Sequence, residues 1–200
     1  MRGTLHFGIH LALGPLTFST FSDVDFTKDH TDRKSTTGML VFLGSNPISW
    51  SSKKQSTVSR SSTKAVYRAL ASTTTKLAWL HTLFKDLKLF LPHVPILWCD
   101  NNSAIALASN PVFHSRTKHI EVDYHYMRGC VLRSTLGVKF ISGHDNFVDI
   151  FTKPLPGPHF LVLHSKLLAD TTSSFRGDVK SKPRDKLSFD QMVQMHKPNG

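Results

Sequence analysis

The chain has 200 residues, of which 40% are hydrophobic, and its formal net charge is +11 with histidine neutral. This hydrophobic content is enough for a folded core and excludes a wholly disordered chain, whose composition combines low hydrophobicity with high net charge. No stretch approaches the roughly 18 uncharged apolar residues of a membrane span, so we expect no membrane partner.

The sequence gives no sign of secretion. The N-terminal ten residues include the early positive charge of a signal peptide in Arg2, but His6 and His10 interrupt their apolar run. The two cysteines, Cys99 and Cys130, are far apart and form no disulfide framework, which is typical of a reducing compartment. We therefore expect an intracellular protein, in the cytoplasm or the nucleus.

The first third of the chain predicts three strands joined by short connections. Leu16–Asp23 nearly alternates apolar and polar residues, and Gly38–Leu43 is a more continuous apolar run. The turn residues Gly44–Pro47 separate this run from a third strand, Ile48–Ser51. The short connections predict an antiparallel meander.

The middle of the chain changes to a helical period. Apolar residues recur every three or four positions over residues 66–87, and the hydroxyl residues 61–63 can cap the start of this helix. A short apolar strand, Pro95–Asp100, follows the helix. It leads into a second helix over Ser103–Ser109, which Pro111 ends.

The last part of the chain completes the order βββαβααβα. It predicts a helix over 117–133, a strand at Val138–Ile141 and a terminal helix that begins near Val148. Such an order is typical of an α/β or α+β domain with a mixed sheet. After about Asp170 the sequence is rich in Ser, Thr and Lys, which predicts a disordered or weakly helical tail.

The positive charge belongs mainly to the predicted folded part. Residues 1–169 hold nineteen Lys and Arg against ten acidic residues, whereas residues 170–200 hold six against four. A surplus of this kind favours a polyanionic partner, most simply nucleic acid, through neutralisation of phosphates. On charge alone, a surface that merely favours solubility explains the surplus equally well.

Three aspartates stand where predicted elements end or begin. Asp23 ends the first strand, Asp100 closes the fourth, and Asp149 opens the last helix. Carboxylates in these places can converge and hold Mg²⁺ or Mn²⁺, which can activate water at a phosphodiester. From their spacing alone, ordinary caps and turns remain the more common explanation for such residues.

Eight stretches carry a resemblance to a known family: 21–26 (FSDVDF), 33–38 (RKSTTG), 48–62 (ISWSSKKQSTVSRSS), 67–71 (YRALA), 97–101 (LWCDN), 110–114 (NPVFH), 116–121 (RTKHIE) and 149–156 (DIFTKPLP). With them the chain resembles the ribonuclease H domain at the C-terminal end of the Pol polyprotein of copia-type LTR retrotransposons, especially plant ones. The resemblance covers about residues 1–168 in family order.

The resemblance implies a fold and a division of the chain. The fold is α/β and ribonuclease H-like, with a five-stranded mixed sheet, three antiparallel strands first, and helices on both faces. Residues 1–15 correspond to a remnant of the connection to reverse transcriptase, residues 16–169 to the ribonuclease H-like domain, and residues 170–200 to the tail.

The resemblance also implies cleavage of the RNA strand of an RNA–DNA hybrid by two metal ions, Mg²⁺ or Mn²⁺, held by an Asp–Glu–Asp–Asp set. Matched by position, the three aspartates are Asp23, Asp100 and Asp149. In the family, the stretch that contains the catalytic glutamate reads Ser-Ser-x-Glu-Ala-Glu-Tyr-Arg-Ala-Leu. In this chain, Val66 occupies the position of the catalytic glutamate, which is the second of the two, and Lys64 occupies the position of the first. The basic residues expected to bind nucleic acid are Lys53, Lys54, Arg60 and Arg68.

Val66 changes what the resemblance implies for activity. An isopropyl group cannot ligate a metal ion, so we expect weakened metal binding. Glu121, the single glutamate of the chain, belongs to a different stretch, although Asp25 could assist from the strand of Asp23. We expect a retroelement-derived domain that cleaves poorly or not at all. The alternatives are a nucleic-acid-binding module without catalysis and an inert remnant.

Three further residues have simpler interpretations. His144 lies in the loop before Asp149, and we expect a solvated histidine there rather than a functional one. Trp50 and Trp98 lie in predicted strands, and we expect both to be core residues rather than stacking platforms.

Overall fold

The structure is a computed structural model that describes residues 7–9, 11–26, 32–109, 121–167 and 169–170. Among these residues, no helix combines the length and apolar character that a membrane crossing requires. The elements in chain order are β1 (Phe7–Gly8), β2 (Phe18–Asp25), β3 (Thr36–Leu43), β4 (Asn46–Lys54), α1 (Ser62–Asp86), β5 (Ile96–Cys99), α2 (Asn102–Ser109), α3 (Glu121–Leu132), β6 (Gly137–Phe140), a 3₁₀ turn (Gly143–Asp145), α4 (Asp149–Thr152), α5 (Gly157–Leu167) and β7 (Ala169–Asp170).

Five strands form one mixed sheet in the order β4-β3-β2-β5-β6. The pairs β2–β3 and β3–β4 are antiparallel, and the pairs β2–β5 and β5–β6 are parallel. The predicted sheet, with three antiparallel strands first, is therefore confirmed. This is the ribonuclease H-like arrangement that the resemblance implies.

The two faces of the sheet are covered by different helices, because side chains alternate along β2. Phe18 and Val24 belong to a buried cluster that also includes residues of α1, α2 and α3. Phe21 belongs to a second buried cluster with Trp98, Val148 and the α5 residue Leu163. Helices thus lie on both faces, as predicted.

The long helix α1 forms where the apolar stripe predicts it. The Ser61 hydroxyl oxygen accepts a hydrogen bond from the Lys64 backbone N–H and caps the helix. The stripe is buried at Leu70, Leu77 and Leu80 and packs on the sheet. Burying apolar side chains of this size stabilises the fold by about 1.5–3 kcal/mol each.

The terminal helix differs from the prediction. It consists of two helices, α4 and α5, and the residues between them include Pro154 and Pro156. Proline has no backbone N–H and disfavours helical geometry in the residue before it, so one continuous helix cannot form across this segment. The break leaves α4 as a separate short helix above the sheet.

The two tryptophans also differ from each other. Trp98 is buried, as predicted, and its indole N–H donates to the Ser19 hydroxyl oxygen at 2.8 Å. The prediction for Trp50 is wrong, because its side chain is 51% exposed. Trp50 lies on β4, which among the described strands is at the edge of the sheet and pairs only with β3.

Two short strands join the ends of the described chain. β1 pairs with β7 in an antiparallel ladder, with Phe7 opposite Asp170 and Gly8 opposite Ala169. The pairing brings the segment expected to be a connection remnant against the end of the expected domain. The predicted tail lies outside the described residues from residue 171 onward.

Gly38 allows α4 to pack closely against the sheet. It lies on β3, opposite Asp23 of β2 and Ser52 of β4. A β-carbon at position 38 would overlap Val148 Cγ1 and lie 2.5 Å from Thr152 Cγ2. Only a residue without a side chain therefore fits beneath this helix.

We expect Gly38→Ala to destabilise the protein by about 1–3 kcal/mol, because the added methyl group forces α4 away from the sheet. The matched control is Gly137→Ala in β6, where the nearest atom to an added β-carbon is the Pro95 carbonyl oxygen at 3.7 Å. Urea denaturation measures both variants. Equal stability of the two variants would contradict the packing role of Gly38.

Candidate active site

The three predicted aspartates come together at one end of the sheet. Asp23 lies near the C-terminal end of β2, and Asp100 directly follows β5. These strands are parallel neighbours, so their C-terminal ends lie at the same edge. Asp149 is the first residue of α4, which packs against β2 and β3 beside that edge.

Hydrogen bonds hold α4 and the turn before it against β2. The Thr152 hydroxyl group donates to Asp23 Oδ2. Asn146 is completely buried, and its side-chain amide donates to the Ser22 carbonyl oxygen at 3.4 Å while its Oδ1 accepts from the Val148 backbone N–H at 3.3 Å. Asp149 is thereby fixed relative to Asp23.

Lys153 bridges two of the three acids. Its Nζ lies 3.1 Å from Asp23 Oδ1 and 3.0 Å from Asp149 Oδ1. Both carboxyl side chains are buried, at 3% and 8% exposure, while the Lys153 side chain is 27% exposed. Charge-assisted hydrogen bonds of this kind are stronger than neutral ones. Lys153 therefore links the end of α4 to the central strand.

The pKa values of Asp149 and Asp100 are both raised. Burial is the main cause for Asp149, and with the charges of Asp23 and Asp100 it raises the pKa of Asp149 to about 6, against the lowering effect of Lys153. Burial and the charge of Asp23 likewise raise the pKa of Asp100. Burial lowers the pKa of Lys153, but the two carboxylates it bridges more than offset this, so its pKa is raised. The charge of Asp23 thus acts on both of the other acids, and that of Asp100 acts on Asp149.

The 3₁₀ turn lies beside Asp100. A β-carbon at Gly143 would be 3.5 Å from Asp100 Oδ2. The next residue, His144, has a 72% exposed side chain whose ring stacks on His159 at 4.7 Å between centroids. His144 is therefore a solvated histidine next to the acid cluster.

The fourth position of the expected catalytic set is apolar. Val66 lies in the second turn of α1, is 6% exposed, and belongs to the same buried cluster as Val24 and Met39. Lys64, at the other glutamate position of the family, is exposed. Val66 thus makes a core contact at the position where the resemblance implies a ligand.

The acids match a magnesium site in type but not in arrangement. Carboxylate oxygens are the hard ligands that Mg²⁺ prefers. Over the described residues, however, no three or more His, Cys, Asp or Glu side chains form a group that could hold a metal ion. A lysine ammonium group lies between two of the acids, and valine stands at the fourth position.

The predicted nucleic-acid-binding residues lie around the end of β4 and the start of α1. Lys53 and Lys54 are exposed on β4, but successive strand residues point to opposite faces of the sheet. Lys54 also pairs with Asp32 at 3.0 Å. The Ser52 hydroxyl group donates to the Phe151 carbonyl oxygen at 2.8 Å, which places this end of β4 beside α4.

The two arginines of the same set differ in their environment. Arg60 is exposed and directly precedes the cap of α1. Arg68 donates to the Thr57 carbonyl oxygen at 3.2 Å and to the Ser59 hydroxyl oxygen at 3.1 Å. Arg68 therefore fixes the loop that leads to Arg60, and a role in binding nucleic acid stays a prediction for all four residues.

Sequence reasoning assigned no role to Lys153 or Thr152, although both lie in a stretch that resembles the family. One signal for Lys153 was available, because residues four apart on a helix lie on the same side, and Lys153 follows Asp149 by four. The contact of Thr152 with Asp23 had no such local signal, since it depends on how α4 docks on β2.

Comparisons with known proteins give relatives in plant transposons. The chain is 47% identical over 156 residues to the retrovirus-related Pol polyprotein from transposon RE2 of Arabidopsis thaliana, covering 78% of the chain and 11% of that protein. It is 45% identical over 168 residues to the corresponding polyprotein from transposon RE1 of the same plant, and this match covers 84% of the chain and 12% of that polyprotein. It is 39% identical over 140 residues to the retrovirus-related Pol polyprotein from transposon TNT 1-94 of Nicotiana tabacum, and this match covers 70% of the chain and 10% of that polyprotein. The chain thus spans about a tenth of the length of each of these three polyproteins.

Solved structures are also similar to the chain. They include LC11-RNase H1 in complex with an RNA/DNA hybrid, with a TM-score of 0.49 and 11% identity over 68% of this chain and 94% of that one. RNase H1 from the halophilic archaeon Halobacterium salinarum NRC-1 has a TM-score of 0.45 and 10% identity, with the same two coverages. No protein-family model matches the chain.

We expect a pH dependence of stability from Asp149. Its raised pKa means that the folded state binds this proton more tightly than the unfolded state, whose carboxyl group titrates near 3.8. The stabilisation is fully present below about pH 4 and is lost as the pH rises through about 6. Relative to Asp149→Asn, the wild-type free energy of unfolding should therefore increase from about pH 7 to about pH 5, by at most about 1.4 kcal/mol per pH unit.

Urea denaturation across this pH range measures the effect. Subtracting the free energy of unfolding of Asp149→Asn from that of wild type cancels the contribution of each other titrating group that behaves alike in both proteins. If the two stability curves run parallel from about pH 7 to about pH 5, the buried, acid-flanked environment of Asp149 is contradicted.

Proposed function

We propose, because the chain is homologous to a segment of the retrovirus-related Pol polyproteins of plant transposons, that it is a ribonuclease H-like domain derived from a copia-type element. In this proposal its ancestor hydrolysed the RNA strand of RNA–DNA hybrids with two metal ions. The present chain binds hybrid or another nucleic acid and cleaves it poorly or not at all.

The gathering of Asp23, Asp100 and Asp149 is the observation on which the proposal rests. These residues lie 77 and 49 positions apart in the chain, yet the charge of Asp23 acts on both of the others. Holding three acids together in a partly buried place is unfavourable for the fold. An ancestral requirement for chemistry at this point accounts for an arrangement that folding alone does not favour.

Val66 and Lys153 support the impairment. The hydrocarbon side chain at position 66 removes a ligand and a negative charge from the expected set, and it is held in the core cluster away from solvent. The Lys153 ammonium group contacts two of the remaining acids. Both features weaken the binding of Mg²⁺ or Mn²⁺ by Asp23, Asp100 and Asp149.

The basic edge next to the acids supports nucleic-acid binding. Lys53 and Arg60 are exposed, and the Ser52–Phe151 hydrogen bond joins this end of β4 to α4. A phosphate backbone lying along the edge would therefore pass beside the acid cluster. Binding of this kind needs no metal and depends on salt through the release of counterions.

We expect Val66→Glu to raise metal-dependent cleavage of a labelled RNA–DNA hybrid by roughly tenfold or more, equivalent to about 1.4 kcal/mol of transition-state stabilisation. Glutamate restores a carboxylate at the position where the family has one. Val66→Gln is the matched control, because glutamine has the length and polarity of glutamate but carries no charge. Circular dichroism checks that both variants fold.

Cleavage by the unmodified chain provides the direct test of impairment. Near-normal turnover of the hybrid with Mg²⁺ or Mn²⁺ would overturn that part of the proposal. Equal rates for Val66→Glu and Val66→Gln would show that the lost carboxylate at position 66 does not limit the reaction.

We expect hybrid affinity to fall steeply with salt, and Lys53→Ala and Arg60→Ala each to reduce the slope of log K against log salt by about 1. Lys85→Ala is the control, because it lies in the last turn of α1, at the far end of a 25-residue helix. Fluorescence anisotropy without metal measures the binding. If the hybrid does not bind at any salt concentration, the inert remnant is the only one of the alternatives that remains.

A further inference from the structure

We propose that the ammonium group of Lys153 takes the place of a divalent cation between Asp23 and Asp149, so that the chain neutralises this buried pair itself and keeps Mg²⁺ out of it. The inference deepens the proposed function, since it rests on these acids descending from a metal site. It concerns how the present chain stabilises the acids once the full ligand set has been lost.

The two distances from Lys153 Nζ to the carboxylate oxygens suit an ammonium group. The cation centre lies 3.1 Å from Asp23 Oδ1 and 3.0 Å from Asp149 Oδ1, which are ordinary lengths for charge-assisted N–H···O hydrogen bonds. Magnesium holds its oxygen ligands at about 2.0–2.1 Å. An Mg²⁺ ion placed where the Lys153 ammonium group lies would be about 1 Å too far from each of the two oxygens.

The position of Lys153 in the chain favours it over a metal from solution. It follows Asp149 by four residues, so its ammonium group is attached within reach of the pair at all times. A tethered group competes at an effective concentration in the millimolar range. Mg²⁺ must displace this group and lose part of its own water shell, which it does reluctantly.

Burial makes the neutralisation necessary. The Asp23 and Asp149 side chains are 3% and 8% exposed, so water solvates them poorly. Removing one member of a buried ion pair leaves an uncompensated charge and is strongly destabilising. Without Lys153, the chain would need another cation in this place.

The test uses the full chain and two measurements other than catalysis: the thermal midpoint Tm with and without Mg²⁺, and Mn²⁺ binding followed by electron paramagnetic resonance. For wild type we expect no rise of Tm with Mg²⁺ and weak Mn²⁺ binding. For Lys153→Met, which keeps most of the unbranched side chain and removes the charge, we expect Tm without metal to drop by on the order of 5 °C. Mg²⁺ should restore at least half of that drop, and Mn²⁺ should bind at least about tenfold more tightly.

Lys166→Met is the matched control, because Lys166 also pairs with an acid, Asp145 at 3.8 Å, and its side chain is 33% exposed. It should show no dependence of Tm on Mg²⁺. Mn²⁺ binding to wild type as tight as to Lys153→Met would overturn the inference. If Lys153→Met does not fold, wild type decides alone: an unchanged Tm with Mg²⁺ supports the inference, and a rise of more than about 3 °C overturns it.

The outcome is separable from that of the proposed function. Hybrid binding without metal tests the function, and it does not depend on whether Mg²⁺ enters the acid pair. Loss of hybrid binding together with metal-dependent Tm in Lys153→Met would overturn the function and leave the Lys153 inference standing. Binding of the hybrid together with tight Mn²⁺ binding to wild type would support the proposed function and overturn the Lys153 inference.

Discussion

The repulsion among three carboxylates at one end of the sheet is the constraint on which the rest of this structure depends. Asp23, Asp100 and Asp149 come from the central strand, its parallel neighbour and a short helix, and the charge of Asp23 opposes ionisation of both Asp100 and Asp149. The fold offsets this cost with one lysine and one threonine, both from the end of α4. Gly38 then permits α4 to approach closely enough for these contacts to form.

Position 66 shows how folding and chemistry can respond differently to one substitution. A valine in the second turn of α1 is buried with other apolar side chains and satisfies the stripe that packs the helix on the sheet. The same side chain cannot act as a ligand to a metal ion. A stable core is compatible with Val66, whereas the metal-ion hydrolysis proposed for the ancestor needs a carboxylate at this position.

Much of this architecture could be predicted from local patterns in the sequence. Alternation identified β2, a stripe with helical spacing identified α1, and the positions of Asp23 and Asp100 at strand ends placed them at one edge. Three features were not predicted from the sequence, because each depends on residues that are distant in the chain. Lys153 contacts Asp23 across 130 residues, Trp50 is exposed because β4 is an edge strand, and Gly38 is required by a helix that docks later in the chain.

The placement of Lys153 one helical turn after Asp149 has a consequence for the order of assembly. The sheet with Asp23 and Asp100 can form from residues before position 141, while the third acid arrives only with α4. Because α4 brings the last negative charge and the residue directly after it, Lys153, brings the positive charge that balances it, docking this segment adds no net charge to the cluster. When this segment docks, the sheet therefore receives the third carboxylate together with its counter-ion.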